Sequence, residues 1–271
     1  MIEEPYRWME AIQNRREYID LQLATGSAIV ALSCPDGVLL LTVGSDRQKL
    51  FEIYDRIAMG GIGHPGDLER LRMKAIEVTS VEGFTRSSLD VSLRRLVHYS
   101  LSSMLKEAFE QVYGAPFLVR LLFAELGRDD APDLLVRLDY DGSFKANGGV
   151  LSGKVEPFAV VAGQPRSAAA MEEYLRGRDC SSATLEEAKA IALDAWMIGS
   201  LVAAENRGAE EAAPLPDEAA IARHREKVLG GKAAVEVALL DRRAKTATTW
   251  RPLSFEETES PARPADEEAE A

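Results

Sequence analysis

The chain has 271 residues, of which 46% are hydrophobic and 28% charged, with a formal net charge of −12. This is enough for one large domain or two small ones with a substantial core, and the acidic balance argues against a nucleic-acid binder, which would carry a basic face. No apolar run approaches the ~18–20 residues that span a bilayer, the N-terminus lacks a secretory pattern, and the two cysteines form no paired motif, so we expect a cytoplasmic protein without membrane contact.

The first predicted elements are one helix and two hairpins. Residues 6–23 have apolar positions at helical spacing, after a proline suited to the first helical position. Residues 27–34 and 38–43 form two strands around the turn PDG, and residues 49–53 and 57–62 form two more around YDR. The buried face of the helix should contain these residues: Trp8, Ile12, Tyr18 or Ile19, and Leu23.

Two long helices are predicted next, over residues 65–79 and 88–113, with Ser87 or Ser88 as the cap of the second. Strands then resume at residues 117–126, 133–144 and 158–163, and two further helices follow over residues 165–176 and 185–205. Residues 206–220 read as a polar, solvated linker, and residues 233–241 and 246–253 as a closing pair of strands.

The last 18 residues carry half of the net charge. Residues 254–271 contain seven acidic residues against one basic residue, Arg263, with almost no apolar side chains. Such a segment cannot bury enough surface to offset its ordering entropy, so we expect a disordered acidic tail after a domain that spans residues 1–253. An acidic docking motif is the alternative interpretation.

The order of these elements predicts the fold class. Runs of strands alternate with pairs of helices, which argues against a parallel βαβ sheet. Two antiparallel sheets packed face to face, each covered by a helix layer, would bury all the apolar faces. We therefore expect an α+β fold, a four-layer αββα sandwich preceded by an extra N-terminal helix.

Several segments, in this order, resemble proteasome subunits, which share the fold of hydrolases with an N-terminal nucleophile. They are GSAIVALSCPDGVLLLT, QKLFEIYDRIAMGGIGHPGDLERL, YGAPFLVRLLFAEL, LVRLDYDGSF and VVAGQPRSAAAMEEYL. The leader EPYRWMEAIQNRREYIDLQLATGS is similar to the N-terminal arm and helix of bacterial α-type subunits of the actinobacterial kind. The resemblance covers roughly residues 5–253.

The residues at the nucleophile position argue against catalysis. In β-type subunits of this family, a threonine freed at the N-terminus is assisted by an acidic residue and a lysine. Here the resemblance places Ser27 at the nucleophile position, Val43 at the acidic position and Lys49 at the lysine position, so one member of the trio is present. We expect no catalytic residue; a self-processing hydrolase that uses Ser27 or Thr25 is the alternative.

The resemblance instead implies a non-catalytic α-type subunit. Such a subunit forms a homo-heptameric ring on the β-type subunits, docks a hexameric AAA ATPase activator, and admits unfolded protein substrates marked by a ubiquitin-like tag. Lys49 and Gly26 would line the pocket for the activator's C-terminal carboxylate, although a solvated lysine at a strand end is the simpler interpretation of Lys49. The gate would consist of the first eight residues: Met1, Ile2, Glu3, Glu4, Pro5, Tyr6, Arg7 and Trp8.

No cofactor or metal is expected. The three histidines, His64, His98 and His224, have no spacing typical of zinc ligands, and a surface loop role for His64 near the pocket is at least as plausible as a binding role. The glycines of GGIGHPGD precede a helix but lack the lysine of a phosphate-binding loop.

Overall fold

The computed structural model describes residues 5–44, 47–111, 113–129, 131–148, 155–205, 215–231 and 233–255. Within these ranges the chain forms seven α-helices, one π-helix and ten strands. The helices are α1 (Pro5–Leu23), α2 (Pro65–Thr85), α3 (Leu93–Leu96), a π-helix (Val97–Leu101), α4 (Ser102–Glu110), α5 (Pro165–Arg176), α6 (Leu185–Ala204) and α7 (Glu218–Leu229).

The strands form two five-stranded antiparallel sheets. The first sheet has the order β10-β9-β2-β1-β8, and the second has the order β3-β4-β5-β6-β7. Their bounds are β1 (Ile29–Cys34), β2 (Gly37–Gly44), β3 (Leu50–Tyr54), β4 (Ile57–Gly63), β5 (Val119–Glu125), β6 (Leu134–Asp139), β7 (Phe144–Ala146), β8 (Phe158–Val161), β9 (Ala234–Asp241) and β10 (Trp250–Leu253).

Three buried clusters define the layers. One contains Val30 and Leu39 of the first sheet with residues of α5 and α6, and a second contains Met59 of the second sheet with residues of α2, α3 and α4. The third contains the opposite faces of the two sheets, with Ile29 packed among residues such as Leu122. Because side chains alternate across a strand, each sheet supplies both an inner and an outer core. The predicted four-layer αββα sandwich is confirmed.

The first hairpin closes on a glycine that no other residue could replace without strain. Gly37 pairs with Cys34 and has a φ of +143°. A Cβ atom at this position would lie 1.9 Å from the carbonyl oxygen of Leu240 on β9. The turn PDG therefore fixes both the reversal of the chain and the close approach of β9.

Helix α1 is attached to the sandwich by one apolar face and by polar contacts of several arginines. Ile19 and Leu23 are buried against Phe109 and Tyr140. Ile12 packs at the edge of this cluster, whereas Trp8 and Tyr18 are about half exposed. Of the two alternatives for the buried face, Ile19 is therefore correct, and Trp8 lies outside that face.

Arg120 of β5 supplies one polar attachment of α1; Arg15 and Arg16 of the helix supply others, to the carbonyl oxygen of Gly114 and to Asp141. Its guanidinium donates to Asp20 Oδ1 at 2.6 Å, to Asp139 Oδ1 at 3.2 Å and to the carbonyl oxygen of Gly163 at 2.8 Å. Tyr140 also donates to Asp20 Oδ1, at 3.1 Å. One buried arginine thus ties α1 to β5, to the end of β6 and to the segment after β8.

Two predictions about the helices need correction. The helix predicted to begin at Ser87 or Ser88 begins at Leu93, with Ser92 as its cap, because Arg128 binds the carbonyl oxygens of Ser88 and Leu89 and holds that stretch as a turn. The predicted linker was wrong from residue 218 onward, where α7 begins. Asp217 caps α7 by accepting from the backbone N–H of Ala220.

Some predictions fall on other parts of the chain. Gate residues Met1 to Glu4, residues 206–214 of the linker, and residues 256–271 of the acidic tail lie outside the described residues. Within the described ranges, no helix combines the length and apolar character that crossing a bilayer requires.

Candidate functional site

A cavity of about 520 Å³ opens at the end of the sandwich where α1 leads into β1 and where β2 connects to β3. It is formed by the α1–β1 connection, the segment before β3, the end of β4 and the first turn of α2. Lys49 and Gly26, the two residues predicted for the pocket, both line it. The other residues used below are Ser27, Gly44, Arg47, Ile62, Leu68 and Glu69.

The backbone at Lys49 is fixed by a carboxylate from the other sheet. Glu236 of β9 accepts from the N–H of Lys49 at 2.9 Å and from the N–H of Leu50 at 3.0 Å. These donors begin an edge strand and have no ladder partner on that side, so the carboxylate satisfies them. Glu236 therefore sets the position from which the Lys49 side chain extends toward the cavity.

The ammonium of Lys49 is partly withdrawn from water without a close counter-ion. Burial lowers its pKa below the usual 10.5, and the attraction of Glu236 opposes this shift only in part. Burial likewise raises the pKa of Glu236, against its backbone hydrogen bonds. Among the described residues no carboxylate lies within 4 Å of the Lys49 ammonium. An anion that enters the cavity would therefore supply the negative charge that the Lys49 ammonium lacks nearby.

Small residues let the chain pass close to the lysine. A Cβ on Gly26 would lie 3.2 Å from the side chain of Ile62 and 3.0 Å from the carbonyl oxygen of Leu23. A Cβ on Gly44 would lie 3.8 Å from Lys49 Nζ. The distance at Gly44 is an ordinary van der Waals contact, whereas Gly26 allows the α1–β1 connection to pack closely on Ile62.

Ser27 is held as a structural residue. Its hydroxyl donates to the carbonyl oxygen of Val43 and accepts from the indole N–H of Trp196 at 3.2 Å. Trp196 also donates to the carbonyl oxygen of Ala28 at 3.1 Å. The hydroxyl proton is thus already engaged, and Val43 is buried with no ionisable group. In the described part of the chain, no side-chain base contacts Ser27, so this geometry does not activate a nucleophile.

None of the three histidines is among the residues that line the cavity. His64 is exposed and sits at the start of α2, beside the cavity, where its backbone receives the first hydrogen bonds of that helix. His98 contacts the ring of Phe144, and His224 is hydrogen bonded to Ser200. Among the residues that the structure describes, no three His, Cys, Asp or Glu side chains form a group that could hold a metal ion.

Sequence reasoning missed the residues that hold Lys49 and Ser27 in place. Glu236 is 187 residues from Lys49, and Trp196 is 169 residues from Ser27. A glutamate within the otherwise apolar strand AAVEVALLD was a signal that could have been used, because a charged side chain on a buried strand needs partners.

Comparisons with known proteins agree with this architecture. The family model described as "Proteasome subunit" matches residues 23–198. The chain is 30% identical over 254 residues to the proteasome subunit alpha of Kineococcus radiotolerans, which covers 90% of this chain and 91% of that relative. It is also 30% identical over 235 residues to the proteasome subunit alpha of Pseudarthrobacter chlorophenolicus, covering 83% of this chain and 90% of that relative.

Proposed function

The chain belongs to the proteasome subunit family as an α-type member, and from that premise we propose that it gates the core particle and docks its activator. In this proposal, seven copies form the outer ring on a ring of β-type subunits. The complex degrades proteins in the cytoplasm as a threonine-type endopeptidase, and the catalytic threonine belongs to the β-type subunits.

The absence of a catalytic role for this chain is supported by the environment of Ser27. Its hydroxyl donates to the carbonyl oxygen of Val43 and accepts from the indole N–H of Trp196, and the position expected for an acidic residue is occupied by the buried Val43. The self-processing hydrolase therefore gains no support from the geometry. A chain that started at Ser27 in an intact mass spectrum of the assembled particle would favour that alternative.

Ring formation is supported by exposed apolar side chains along α1. Met9 is 69% exposed and Leu21 is 74% exposed, and Trp8 and Tyr18 are about half exposed. Helical spacing places these side chains on different sides of α1 rather than on one face. We assign them individually to contacts with neighbouring subunits of the ring.

One observation carries the docking proposal: Lys49 and Gly26 line the same cavity, and the ammonium has no close carboxylate partner there among the described residues. A C-terminal carboxylate of a hexameric AAA ATPase activator would supply the missing charge through a charge-assisted hydrogen bond. Apolar side chains of Ile62 and Leu68 on the cavity wall would pack against the adjoining residues of that tail.

The proposed gating is supported by the position of α1 relative to this cavity. Residues 1–8 precede or begin α1, and α1 leads directly through Gly26 into the cavity wall. A tail bound beside Gly26 would favour an arrangement of α1 and of the arms that differs from the unbound one. Unfolded substrates, delivered by the ATPase after recognition of a ubiquitin-like tag, would then enter through the ring.

The substitution Lys49→Ala tests the docking proposal. We expect the particle assembled with β-type subunits to keep its size and its basal hydrolysis of small peptides but to lose ATPase-driven protein degradation. Lys74→Ala is the matched control, because Lys74 lies on the exposed side of α2 and pairs with Glu77. Full ATPase-driven degradation by the Lys49→Ala particle would refute the proposal.

A further inference from the structure

A second cavity, of about 470 Å³, lies at the end of the sandwich opposite the Lys49 cavity. Strand β3 begins beside Lys49 and ends just before Arg56, so the length of this strand separates the two cavities. The second cavity is formed by the β3–β4 turn, the start of α3 and the loop between β5 and β6. Three arginines line it, and we call it the arginine cavity: Arg56, Arg94 and Arg128.

The three guanidinium groups share one carboxylate, that of Glu125. Its two oxygens are engaged, because one accepts from Arg56 at 3.4 Å and the other accepts from the backbone N–H of Leu93 at 3.0 Å. Burial raises the pKa of Glu125, and the N–H of Leu93 and the positive charges of all three arginines oppose that shift. Arg56, Arg94 and Arg128 therefore lie close to a single acid.

The other acids nearby leave most of this positive charge uncompensated. Asp133, the second acid in the described lining of the arginine cavity, is already paired with Arg242 at 2.7 Å. Asp55 and Asp129 contribute some attraction from outside the lining. Three guanidinium groups against the carboxylate of Glu125 thus leave an excess of two positive charges among the described lining groups that are not paired elsewhere.

The arginines also keep donors that have no charged acceptor. Arg128 donates to the carbonyl oxygens of Leu89 at 2.6 Å and Ser88 at 3.0 Å, which are neutral and leave its charge in place. Burial lowers the pKa of Arg56, and the charge of Arg128 lowers it further. Arg94 is exposed, and in the described part of the chain its side chain makes no hydrogen bond and no ion pair.

We propose that the arginine cavity binds a phosphate group as its dianion, with Arg94 and Arg128 as the principal donors. A phosphate group carries close to two negative charges at neutral pH, which matches the excess, and its oxygens accept from guanidinium groups in pairs. A single carboxylate would leave one positive charge uncompensated. Inorganic phosphate and the phosphate ester of a larger molecule share this chemistry. The bound group would join the β3–β4 turn, α3 and the β5–β6 loop, and the site is independent of activator docking.

Isothermal titration of the full chain with inorganic phosphate, at constant ionic strength, tests this site. We expect Arg94→Gln to weaken binding about tenfold or more, because a charge-assisted hydrogen bond is lost. Arg223→Gln is the matched control, since it removes one exposed arginine from α7, outside the cavity. Lys49→Ala should also bind phosphate normally. Absent binding by the wild type, equal binding by Arg94→Gln, or loss in Lys49→Ala alone would overturn the proposal.

Two further measurements separate binding from folding. Arg94 has no partner to lose among the described residues, so Arg94→Gln should keep the urea midpoint of the wild type in phosphate-free buffer. Competition by other anions needs no variant at all: sulfate, which is also a dianion, should displace phosphate from the wild type, whereas acetate should compete more weakly. Acetate that competed as well as sulfate would overturn the assignment to a dianion.

The particle assembled with β-type subunits shows whether the site is open to solution. Phosphate binding by the particle, weakened again by Arg94→Gln, supports the proposal. Binding by the free chain that disappears on assembly would overturn it, because a neighbouring subunit would then fill the cavity. Phenyl phosphate distinguishes the sources of the group: binding at least as tight as that of inorganic phosphate indicates an ester of a larger molecule, and weaker binding indicates the free ion.

Discussion

Lys49 is the residue on which the docking proposal depends, and its environment explains why a lysine begins this strand. A fully solvated lysine at the same place would offer a screened charge of little value to a ligand. Burial beside Gly44, with Glu236 committed to the backbone, leaves the ammonium partly desolvated and directed at the cavity. A carboxylate therefore gains more from Lys49 than from an exposed lysine.

The lowered pKa of Lys49 predicts a distinctive pH dependence. Anion binding needs the protonated amine of Lys49. The affinity for a short peptide with a free C-terminal carboxylate should therefore be constant near neutral pH and should decline as pH rises through the pKa of Lys49 in the folded protein. Because burial places that pKa below the usual 10.5, the decline begins earlier than for an exposed lysine, and well above the pKa it approaches about tenfold per pH unit.

Titration of peptide affinity at constant ionic strength measures this profile. Lys49→Arg is the matched control, because arginine stays protonated throughout the range and should flatten the profile. An identical decline in the wild type and in Lys49→Arg would mean that another group titrates. The effect on stability has the opposite sign: the burial cost of the charged amine is present below the folded pKa and is relieved as pH rises through it, so the free energy of unfolding increases there.

At the scale of elements, α1 depends on contacts that its own sequence does not display. Its apolar stripe is short, and a helix of this kind is stabilised mainly by tertiary packing. Arg120 contributes by pairing with Asp20 of α1 while also binding Asp139 and Gly163. Burial raises the pKa of Asp139, and the positive charge of Arg120 opposes that shift.

We predict that Arg120→Ala loosens α1 from the sandwich. The substitution removes several charge-assisted hydrogen bonds and leaves Asp139 half-buried without its cation, at a cost of about 1.5–3 kcal/mol. Hydrogen–deuterium exchange of the α1 amides should rise, while exchange in β5 and β6 should change less. Gln13→Ala is the control, because Gln13 pairs with Glu17 on the exposed side of the same helix. Equal exchange in α1 for both variants would contradict this role.

The starts of helices α7 and α3 show how contacts decide the boundaries of an element. Asp217 and Glu218 after Pro216 gave a usable start signal for α7, but the alanines and glutamates around them also suit a linker. In contrast, nothing local indicates that Arg128 would hold Ser88 and Leu89 in a turn and that α3 would begin only after Ser92. Terminal residues of helices depend on such partners.

At the scale of the whole molecule, Asp133 joins the two sheets at one end of the sandwich. It accepts from Ser33 of β1, from Arg242 after β9 at 2.7 Å, and from the N–H of Gly127 at 2.8 Å. Ser33 lies in the first sheet and Arg242 directly follows its strand β9, whereas Gly127 and Asp133 belong to the loop between β5 and β6. Asp133 is only 6% exposed, so water has little access to its carboxylate and could not replace these three donors.

We predict that Asp133→Ala lowers the free energy of unfolding of the chain by about 1.5–3 kcal/mol, because three donors lose a charged acceptor. Urea denaturation of the purified chain measures this loss. Asp36→Ala is the control: its partner Arg243 is 77% exposed, and the loss should stay below about 1 kcal/mol. If both variants lost the same free energy of unfolding, Asp133 would contribute no more than an exposed ion pair.

The proposed gate is a property of the assembled ring. Seven arms that meet on one axis can pack only against one another, so their closed arrangement depends on the ring. We predict that deletion of residues 1–8 increases hydrolysis of a small fluorogenic peptide by the assembled particle severalfold. The deletion spares the anchors Ile12, Ile19 and Leu23, so α1 should remain docked. Unchanged hydrolysis by a correctly assembled deletion particle would argue against a gate at this end.

The sequence by itself determined the strands, hairpins, most helices and their order, and therefore the four-layer sandwich. These features follow from local signals: alternation in strands, helical spacing, and turn residues such as those of PDG. Through a resemblance that runs along the chain, it also predicted Lys49 and Gly26 as pocket residues and placed a valine, Val43, at the acidic position.

Only the tertiary structure decided which residues meet at the cavity. It paired Glu236 with the backbone of Lys49 across 187 positions, and it placed the hydroxyl of Ser27 in hydrogen bonds with the carbonyl oxygen of Val43 and the indole of Trp196. Such contacts depend on how two sheets stack and in which register. The free energy of that stacking is shared among many buried side chains, so no short segment of the sequence encodes it.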